Sequence, residues 1–365
     1  ITLNFAQPLL RNFRIDATRA NVKVNEINQT IVNSQVQQQI ESTTRTTRLA
    51  YLQLISAIQG LAVAQQNLEV SNASLRNNKA RVEVGVSAPA DLVSAEAQVA
   101  SYEEGVIVAK SSIESAMDQL RQLILDPVRP DYWTVRLQPA DAVTVQPPSI
   151  DVEAAVQNAL KNRMDLEQAR QSLKANDINV KLARNQALPS VDFSVSYSAL
   201  GKAGTALEYD NSQLPPVVIS STSRSFTGAL HDAFTNAYPS WTYGVSVGYP
   251  IGNTANRVAS ARAEVAKRQA EVNLAALQQE IATEVRAAAR QVDTNYKRIL
   301  TTRAALDAQE KQLEAEQKRF DVGLSDNFKL FQFQRDVAAA RVQALNAELS
   351  YSQALILFEA VQRIR

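Results

Sequence analysis

One long apolar pattern occurs twice in this chain, at an offset of 238 residues. In the first copy an apolar residue recurs at every seventh position: Leu54, Leu61, Leu68, Leu75 and Val82. The second copy repeats the series at Val292, Ile299, Leu306, Leu313 and Phe320. Gly85 and Ser87 follow the first series, and Gly323 and Ser325 follow the second at the same offset. A seven-residue apolar repeat sustained this far indicates a left-handed coiled coil that turns near the glycine.

The pattern resumes beyond each glycine, which predicts that each copy is a helical hairpin. The returning series are Leu92, Val99, Val106, Ile113 and Leu120, and Leu330, Val337, Ala344, Tyr351 and Phe358. The pattern places helices at about 12–86, 90–125 and 253–322, with a last helix from the second tip to about 363. A duplication of this kind specifies an architecture before it specifies any chemistry.

Three segments alternate between apolar and polar residues with the period of a β-strand: 1–7, 191–199 and 241–251. In the last two, one face is wholly apolar and the other is mostly serine, threonine and glycine. Phe5 and Pro8 align with Val247 and Pro250 at an offset of 242 residues. By this symmetry, strand 191–199 has an equivalent before residue 1, so we expect an N-terminally trimmed chain.

The segments between these elements carry weaker signals. Five prolines between 127 and 148 predict an irregular stretch with one short strand around Tyr132–Leu137. Two shorter helices follow, with Asp151 and Asp165 as predicted N-caps, and the second ends before Pro189. Residues 200–240 contain glycine, serine and proline throughout and predict a long loop.

The composition excludes several classes of function. Lys and Arg total 38 and Asp and Glu total 37, a balance that argues against a nucleic-acid binder. The chain has no cysteine and one histidine, His231, which leaves zinc or triad chemistry almost nothing to use. It contains no phosphate-binding glycine loop and no nucleophile with a matching base. We therefore expect no enzyme, no cofactor and no metal site, and no apolar run predicts a transmembrane helix.

Two interpretations of the strands and helices remain open at this point. Strands with one apolar face and aromatic residues at both ends suit a transmembrane β-barrel, but a half-buried soluble sheet gives the same alternation. Three strands cannot close a barrel alone, so a barrel needs further copies of the chain. The helices suit either a dimeric rod or a larger cylinder. Small or polar residues three positions after the seam favour the cylinder: Ala57, Ala64, Ser71 and Asn78.

The order strand, helix, glycine tip, helix, repeated with a second strand hairpin, resembles the TolC-like outer-membrane efflux factor family. The resemblance covers essentially the whole chain. Its most specific elements are the tip motifs 81–87, with Asp91, and 319–325. The sequence Leu188-Pro189-Ser190 before a strand, and Pro8 and Pro250 after strands, are also typical of that family.

The resemblance implies a mainly α-helical fold with a small β part. The duplicated antiparallel coiled-coil hairpins would form an α-barrel, and trimerisation would complete a transmembrane β-barrel. The expected segments are a strand at 1–8, a first long hairpin at 9–125, a mixed equatorial segment at 126–162, a connecting helix at 163–189, a barrel hairpin with a long outer loop at 190–252, and a second long hairpin at 253–365. The lipid-facing positions expected in the barrel are Phe193, Val195, Tyr197, Trp241, Tyr243, Val245, Val247 and Tyr249.

In this family the periplasmic entrance lies at the helix tips, where a tyrosine, an arginine and aspartates hold it closed. Counted from the tip glycines, the matching positions here are Asp91, Phe320, Ser325, Lys329 and Gln332. Phe320 keeps the ring but not the hydroxyl, and Lys329 and Gln332 replace the acidic ring. We therefore expect this chain's gate to use different contacts.

Asp91 and Lys329 are repeat equivalents with opposite charges. In a trimer they would alternate around one circumference, and we hypothesise that they form ion pairs that hold the entrance shut. The alternative is two ordinary solvated residues near a turn. The resemblance also implies that the tips dock a periplasmic adaptor through Gly85, Val86, Ser87, Gly323, Leu324 and Ser325.

The resulting hypothesis is a homotrimeric channel-tunnel in the outer membrane of a Gram-negative-type bacterium, extending into the periplasm. It would be the passive exit duct of a tripartite efflux or type I secretion system. Its partners would be an adaptor (membrane fusion) protein, an inner-membrane transporter and outer-membrane lipid. The alternative hypothesis is a soluble periplasmic coiled-coil scaffold or adaptor, in which the strands form an ordinary sheet.

Overall fold

The fold was established from a computed structural model of the 365-residue chain, which describes residues 1–140, 145–210, 212, 215–249 and 251–363. Pro250, at the predicted exit of the third strand, lies outside these described residues. The helices are α1 (Ala17–Glu83), α2 (Pro89–Ile124), α3 (Val152–Asn162), α4 (Met164–Gln186), α5 (Phe226–Phe234), α6 (Thr254–Asp321) and α7 (Asn327–Gln362). The strands are β1 (Thr2–Pro8), β2 (Ser190–Ala199), β3 (Gly204–Asp210), β4 (Val217–Arg224) and β5 (Pro239–Gly248).

The predicted duplication is confirmed down to the ends of the helices. α1 ends at Glu83 and α6 at Asp321, an offset of 238 residues. α2 and α7 begin at Pro89 and Asn327 and end at Ile124 and Gln362, again at that offset. Among the described residues no helix is both long enough and apolar enough to cross a bilayer.

The chain divides into two compact units. The first, which we call the strand unit, comprises Ile1–Ile31 and Ala169–Asn273. It contains an antiparallel sheet in the order β1-β2-β5 and a separate antiparallel pair, β3-β4. Lys267 of α6 and Lys181 of α4 both pair with Asp177 of α4, at 2.9 and 2.6 Å, and so fasten these two helices together.

The second unit, the hairpin unit, comprises Val32–Gln168 and Leu274–Arg365. Part of its predicted seam is fully buried, at Leu54, Val292 and Ile299. Towards the tips the seam is largely half-buried, as at Leu61 and Leu306. One apolar cluster joins α3, α6 and α7, and a second joins α1 and α2 around Leu54 and Leu120. Each hairpin therefore has its own apolar interior.

Of three local predictions, two are wrong and one is confirmed. The strand predicted at Tyr132–Leu137 is wrong, because residues 131–134 form a turn in which the Asp131 carbonyl accepts from Thr134 and Val135 at 3.0 Å. That turn satisfies backbone groups for which an isolated strand has no partner. Asp151 caps α3 as predicted, accepting from Glu153 and Ala154. Asp165 is not an N-cap, because α4 already begins at Met164.

The loop predicted over residues 200–240 is also wrong. It contains the hairpin β3-β4, followed by α5, whose N-cap Ser225 accepts from the backbone of Gly228. β4 is rich in serine and threonine, and a bulge between Glu208 and Tyr209 interrupts the pairing of β3 with β4. The period-two signal was therefore too weak to identify them.

Candidate functional site

The two hairpin tips form the candidate site and have the same backbone geometry. Gly85 and Gly323 have φ values of +76° and +79°, the left-handed conformation in which a helix commonly ends at glycine. In the first tip the Val86 amide donates to the Arg81 carbonyl at 2.8 Å, and the equivalent bond in the second tip has the same length. The glycine motif therefore builds one structure twice.

An arginine from the first hairpin covers an aromatic ring of the second hairpin. The Arg81 guanidinium carbon lies 4.4 Å from the centre of the Phe320 ring, and Nη1 donates to the Phe320 carbonyl at 3.4 Å. Phe320 is only 4% exposed. A cation over an aromatic face is attracted by the ring quadrupole, typically by about 0.5–2 kcal/mol. Arg81 therefore ties the two hairpins together beside the second tip.

A buried amide pair joins α1 and α7 in the same region. The Asn327 Nδ2 donates to the Asn78 Oδ1 at 2.7 Å, and the Asn78 Nδ2 donates to the Ser74 carbonyl at 3.0 Å. Both asparagines are buried, and the Asn327 Oδ1 has no partner among the described residues. A buried asparagine in a coiled-coil seam fixes helix register at a cost in stability. This pair therefore sets which residues of the two hairpins face each other.

A buried carboxylate stabilises the second tip from within. Glu316 is 5% exposed and accepts a hydrogen bond from the Ser325 hydroxyl. Its other oxygen lies 3.6 Å from the Arg319 guanidinium. A buried charge requires such partners. Ser325 therefore fastens the chain after the tip to the helix before it.

The sheet β1-β2-β5 presents a single apolar face. Its register places Leu3, Tyr197 and Trp241 in one row and Phe5, Val195 and Tyr243 in the next. Directly paired residues lie on the same side of a sheet. The rings of Tyr197 and Trp241 are 4.6 Å apart, and Trp241 and Tyr243 stack at 6.2 Å. The predicted lipid-facing residues of β2 and β5 therefore lie on the same face of the sheet. The aromatic residues cluster at one end of these two strands.

The apolar face of the sheet is uncovered within the chain, whereas side chains on the polar face hydrogen-bond to one another. Trp241, Val245 and Val247 are 57%, 65% and 71% exposed. On the other face the Ser196 hydroxyl donates to the Asn4 side chain at 2.7 Å. Tyr249 follows the end of β5 and is exposed.

Comparison with known proteins decides the family. The family model described as "Outer membrane efflux protein" matches residues 1–124 and 155–360. These ranges contain the three-stranded sheet and both helical tips. The chain belongs to this family.

Individual members of the outer membrane efflux protein family resemble parts or all of the chain. Outer membrane protein TolC of Escherichia coli (strain K12) is 28% identical over 178 residues, which are 46% of this chain and 35% of TolC. The matched segment thus spans about a third of that curated relative.

Solved structures of outer-membrane channels share the fold over almost the whole chain. The channel OprN superimposes with a TM-score of 0.74 at 18% identity, covering 99% of this chain and 80% of OprN. VceC of Vibrio cholerae gives a TM-score of 0.71 at 16% identity, covering 99% of this chain and 86% of VceC. At such identities the likeness establishes the fold alone.

Among the described residues, four of the five positions that match the family entrance have a side-chain contact inside the chain, and Gln332 is the exception. Asp91 accepts from the backbone of Ala88 at 3.2 Å at the start of α2. Lys329 lies 3.8 Å from Asp326 at the start of α7. Gln332 is exposed. The ion pair between Asp91 and Lys329 concerns neighbouring copies and stays a prediction.

The tip residues expected to dock an adaptor are mostly on the surface. Val86 and Leu324 are 65% and 78% exposed, and Gly85 and Gly323 are exposed as well. Ser87 and Ser325 are half-buried. At these docking positions the uncovered apolar side chains are those of Val86 and Leu324.

Sequence reasoning missed the contacts between the hairpins. Arg81 belongs to the tip motif and Asn78 to the small or polar seam positions, but nothing indicated their partners. Phe320 and Asn327 lie 239 and 249 residues away from them, respectively. The Glu316 contact carried no signal in the sequence at all.

Proposed function

We propose that this chain is one protomer of a trimeric outer-membrane duct, the passive exit of a tripartite efflux or type I secretion system. The observation that carries the proposal is a family match that includes both the one-sided apolar sheet and the two helical tips. Energy for transport comes from the inner-membrane transporter. The duct supplies a gated passage across the periplasm and the outer membrane.

The sheet supports a location in the outer membrane. Lipid tolerates strands only where every backbone group is paired, so a sheet in a bilayer must close into a barrel. Within the described residues β1 and β5 each pair with β2 alone. Their free edges therefore need strands from elsewhere, which two further copies arranged around one axis help to supply.

The tips support a gate that differs from the family pattern. Phe320 lacks the hydroxyl of the family's tyrosine, and its ring is instead held under Arg81. The buried pair of Asn78 and Asn327 lies beside it. We infer that these contacts keep the second hairpin against the first in the closed duct. The adaptor docks on the exposed tips and competes with this arrangement.

Conductance in planar bilayers tests the gate and the duct together. The full-length protein should give discrete channels, and Arg81→Gln should raise the closed-state conductance because the hold on Phe320 is lost. The control Arg76→Gln removes an exposed arginine five residues earlier in α1. It should leave the closed-state conductance unchanged. Unchanged closed-state conductance in Arg81→Gln rules out this gate, and the absence of channels in the unmodified protein rules out the duct.

The ring of Asp91 and Lys329 is a separate part of the proposal. An exposed ion pair contributes only about 0–1 kcal/mol, so the effect depends on six charges acting around one circumference. Lys329→Ala should increase the conductance of the closed channel. If conductance and gating are unchanged, the pair is not a lock.

The soluble scaffold is the weaker account of the same residues. It requires another element to cover Val245 and Val247, and these side chains are uncovered in the chain. The family match also favours the duct. A protein that stays in solution without detergent would reverse this preference.

A further inference from the structure

The short helix α5 turns its large apolar side chains away from the rest of the chain. Phe226, Leu230 and Phe234 are 75%, 48% and 71% exposed. They are spaced by four residues and therefore share one face of the helix. Single apolar residues on a surface are normal, whereas contiguous exposed apolar patches mark contacts with proteins, ligands or membranes. We call these three residues the α5 stripe.

The opposite side of α5 consists of small residues and rests on the chain directly after β2. Ala229 is buried and Gly228 is half-buried. A Cβ atom added at Gly201 would lie 1.7 Å from the Ala229 carbonyl oxygen, so this close approach requires glycine. A helix on the surface of a globular protein normally turns its apolar face toward the core. The reversed arrangement in α5 indicates an apolar environment outside the chain.

Polar contacts hold α5 in this orientation. Ser225 caps its N-terminus by accepting from the Gly228 amide at 3.2 Å. Arg224 pairs with Asp232, which lies on the side of the helix away from the stripe and is half-buried. The same guanidinium donates to the Tyr238 hydroxyl at 3.2 Å. The α5 stripe cannot turn inward without breaking these contacts.

The segment that carries α5 is joined to the aromatic end of the three-stranded sheet. After the helix the chain turns at Asn236, whose φ is +59°, and the Asn236 side chain accepts a hydrogen bond from the Tyr197 hydroxyl. Tyr197 belongs to the apolar face of the sheet, where its ring lies 4.6 Å from that of Trp241. The Leu200 amide, after the end of β2, donates to the Tyr238 carbonyl at 3.4 Å. The apolar face of the sheet therefore continues toward α5 through its aromatic residues.

This end of the sheet is the one away from α4 and α6. α4 ends at Gln186, just before β2 begins, and α6 begins at Thr254, just after β5 ends. Both helices therefore join the strands at the end opposite α5. The family places the chain in the outer membrane. Because tyrosine and tryptophan prefer the boundary between lipid and water, the aromatic end of the sheet marks one surface of that membrane.

We propose that α5 lies in the surface of the outer membrane, on the side away from α4 and α6, with the α5 stripe inserted into lipid. A helix in this position buries its apolar face about 5–10 Å into the boundary between head groups and acyl chains. The inference rests on the proposed function, because it requires the apolar face of the sheet to contact lipid. It assigns a lipid contact to a segment outside the barrel strands.

Spin labelling tests the position of α5, and the absence of cysteine allows a single label to be placed. Full-length protein carrying Leu230→Cys is labelled with a nitroxide and reconstituted into vesicles of phosphatidylethanolamine and phosphatidylglycerol. The accessibility of the label is measured to oxygen, which concentrates in lipid, and to a water-soluble nickel complex. The Leu230→Cys label should be severalfold more accessible to oxygen, at a depth of about 5–10 Å. Phe234→Cys tests the same stripe at a second position.

Two further labels serve as references. His231→Cys is the matched control, since His231 is exposed on the same helix and is turned by about 100° from Leu230. Its label should be more accessible to the nickel complex than to oxygen. Val245→Cys, on the apolar face of β5, reports on the duct itself and should favour oxygen.

The references separate failure of the inference from failure of the duct. If the Val245→Cys label favours oxygen but the Leu230→Cys label favours nickel, α5 lies in water and the inference is overturned. A Leu230→Cys label that is shielded from both reagents, or broadened by the labels of other chains, overturns it as well, because protein such as a second copy then covers the stripe. A Val245→Cys label that does not favour oxygen overturns the proposed function and the inference with it.

Discussion

At the scale of single residues, the glycines of the two tips carry the clearest requirement. A side chain at Gly85 or Gly323 meets no atom within 4 Å, so space does not demand glycine there. The positive φ does, because L-residues pay roughly 1–2 kcal/mol in the left-handed conformation. The positive φ alone therefore favours glycine at these two positions.

Gly323→Ala should consequently lower the free energy of unfolding by about 1 kcal/mol. Gly60 is the matched control, since it lies inside α1 with equally open surroundings. Gly60→Ala should raise the stability by about 0.5–1 kcal/mol. Denaturant unfolding of both variants checks this, and a destabilised Gly60→Ala or an unaffected Gly323→Ala would contradict it.

The sequence predicted residues whose role is local and missed those whose role depends on distant partners. Gly85 and Gly323 were predictable because a helix that ends needs a left-handed residue. Arg81 was not, because its ring partner lies in the other hairpin and is fixed only by the packing of long helices. Asn78 was recognised as a polar seam residue, yet its bond to Asn327 required the register between α1 and α7.

At the scale of elements, the two faces of β5 should differ in how well they tolerate a charged side chain. Val245→Arg should destabilise the assembled protein by about 2–4 kcal/mol if that position lies near the membrane midplane. Ser246→Arg places the same charge one residue along, on the polar face that Asp192 also occupies, and should cost much less. Urea unfolding in detergent or lipid compares the two. Equal losses would contradict a lipid-facing Val245.

The contact between α4 and α6 predicts a pH dependence. Hydrogen bonds from Lys181 and Lys267 lower the pKa of Asp177 to about 2, from an ordinary value of 3.8. A lowered pKa means that the pairing stabilises the fold above the ordinary value and is lost as pH falls through the lowered one. Stability from this contact should therefore disappear between about pH 4 and pH 2.

Asp177→Asn should remove that part of the acid dependence. Its unfolding midpoint should be lower than that of the unmodified protein at pH 6, and the two should converge near pH 2. Asp307→Asn, which breaks a pair between neighbouring turns of α6, serves as the control. A constant difference between Asp177→Asn and the unmodified protein at every pH would contradict the assignment.

Elements with a sustained period were predictable, and short elements were not. The long helices α1 and α6 repeat one seam over many turns and end at glycine motifs, so their tip ends followed from sequence. The start of α1 did not, because it lies at Ala17 and not near the predicted residue 12. The strands β3 and β4 are short, β4 is serine-rich, and a bulge interrupts their pairing. The turn at 131–134 depends on local hydrogen bonds. Neither the two strands nor the turn produces a periodic apolar pattern in the sequence.

At the scale of the whole molecule, the fold followed from the duplication, whereas assembly lies beyond a single chain. Two equal hairpins predicted two equal tips, and the structure has them. Among the described residues β1 and β5 each pair with β2 alone, so each has a free edge. These free edges call for strands from further copies around one axis.

The mass of the detergent-extracted, full-length protein tests the central claim most directly. Light scattering with the detergent contribution subtracted should give three times the mass of one chain, because the free edges of β1 and β5 gain partner strands only in a closed ring. A monomer or dimer that needs no detergent would contradict the duct and leave a soluble coiled-coil scaffold as the better account.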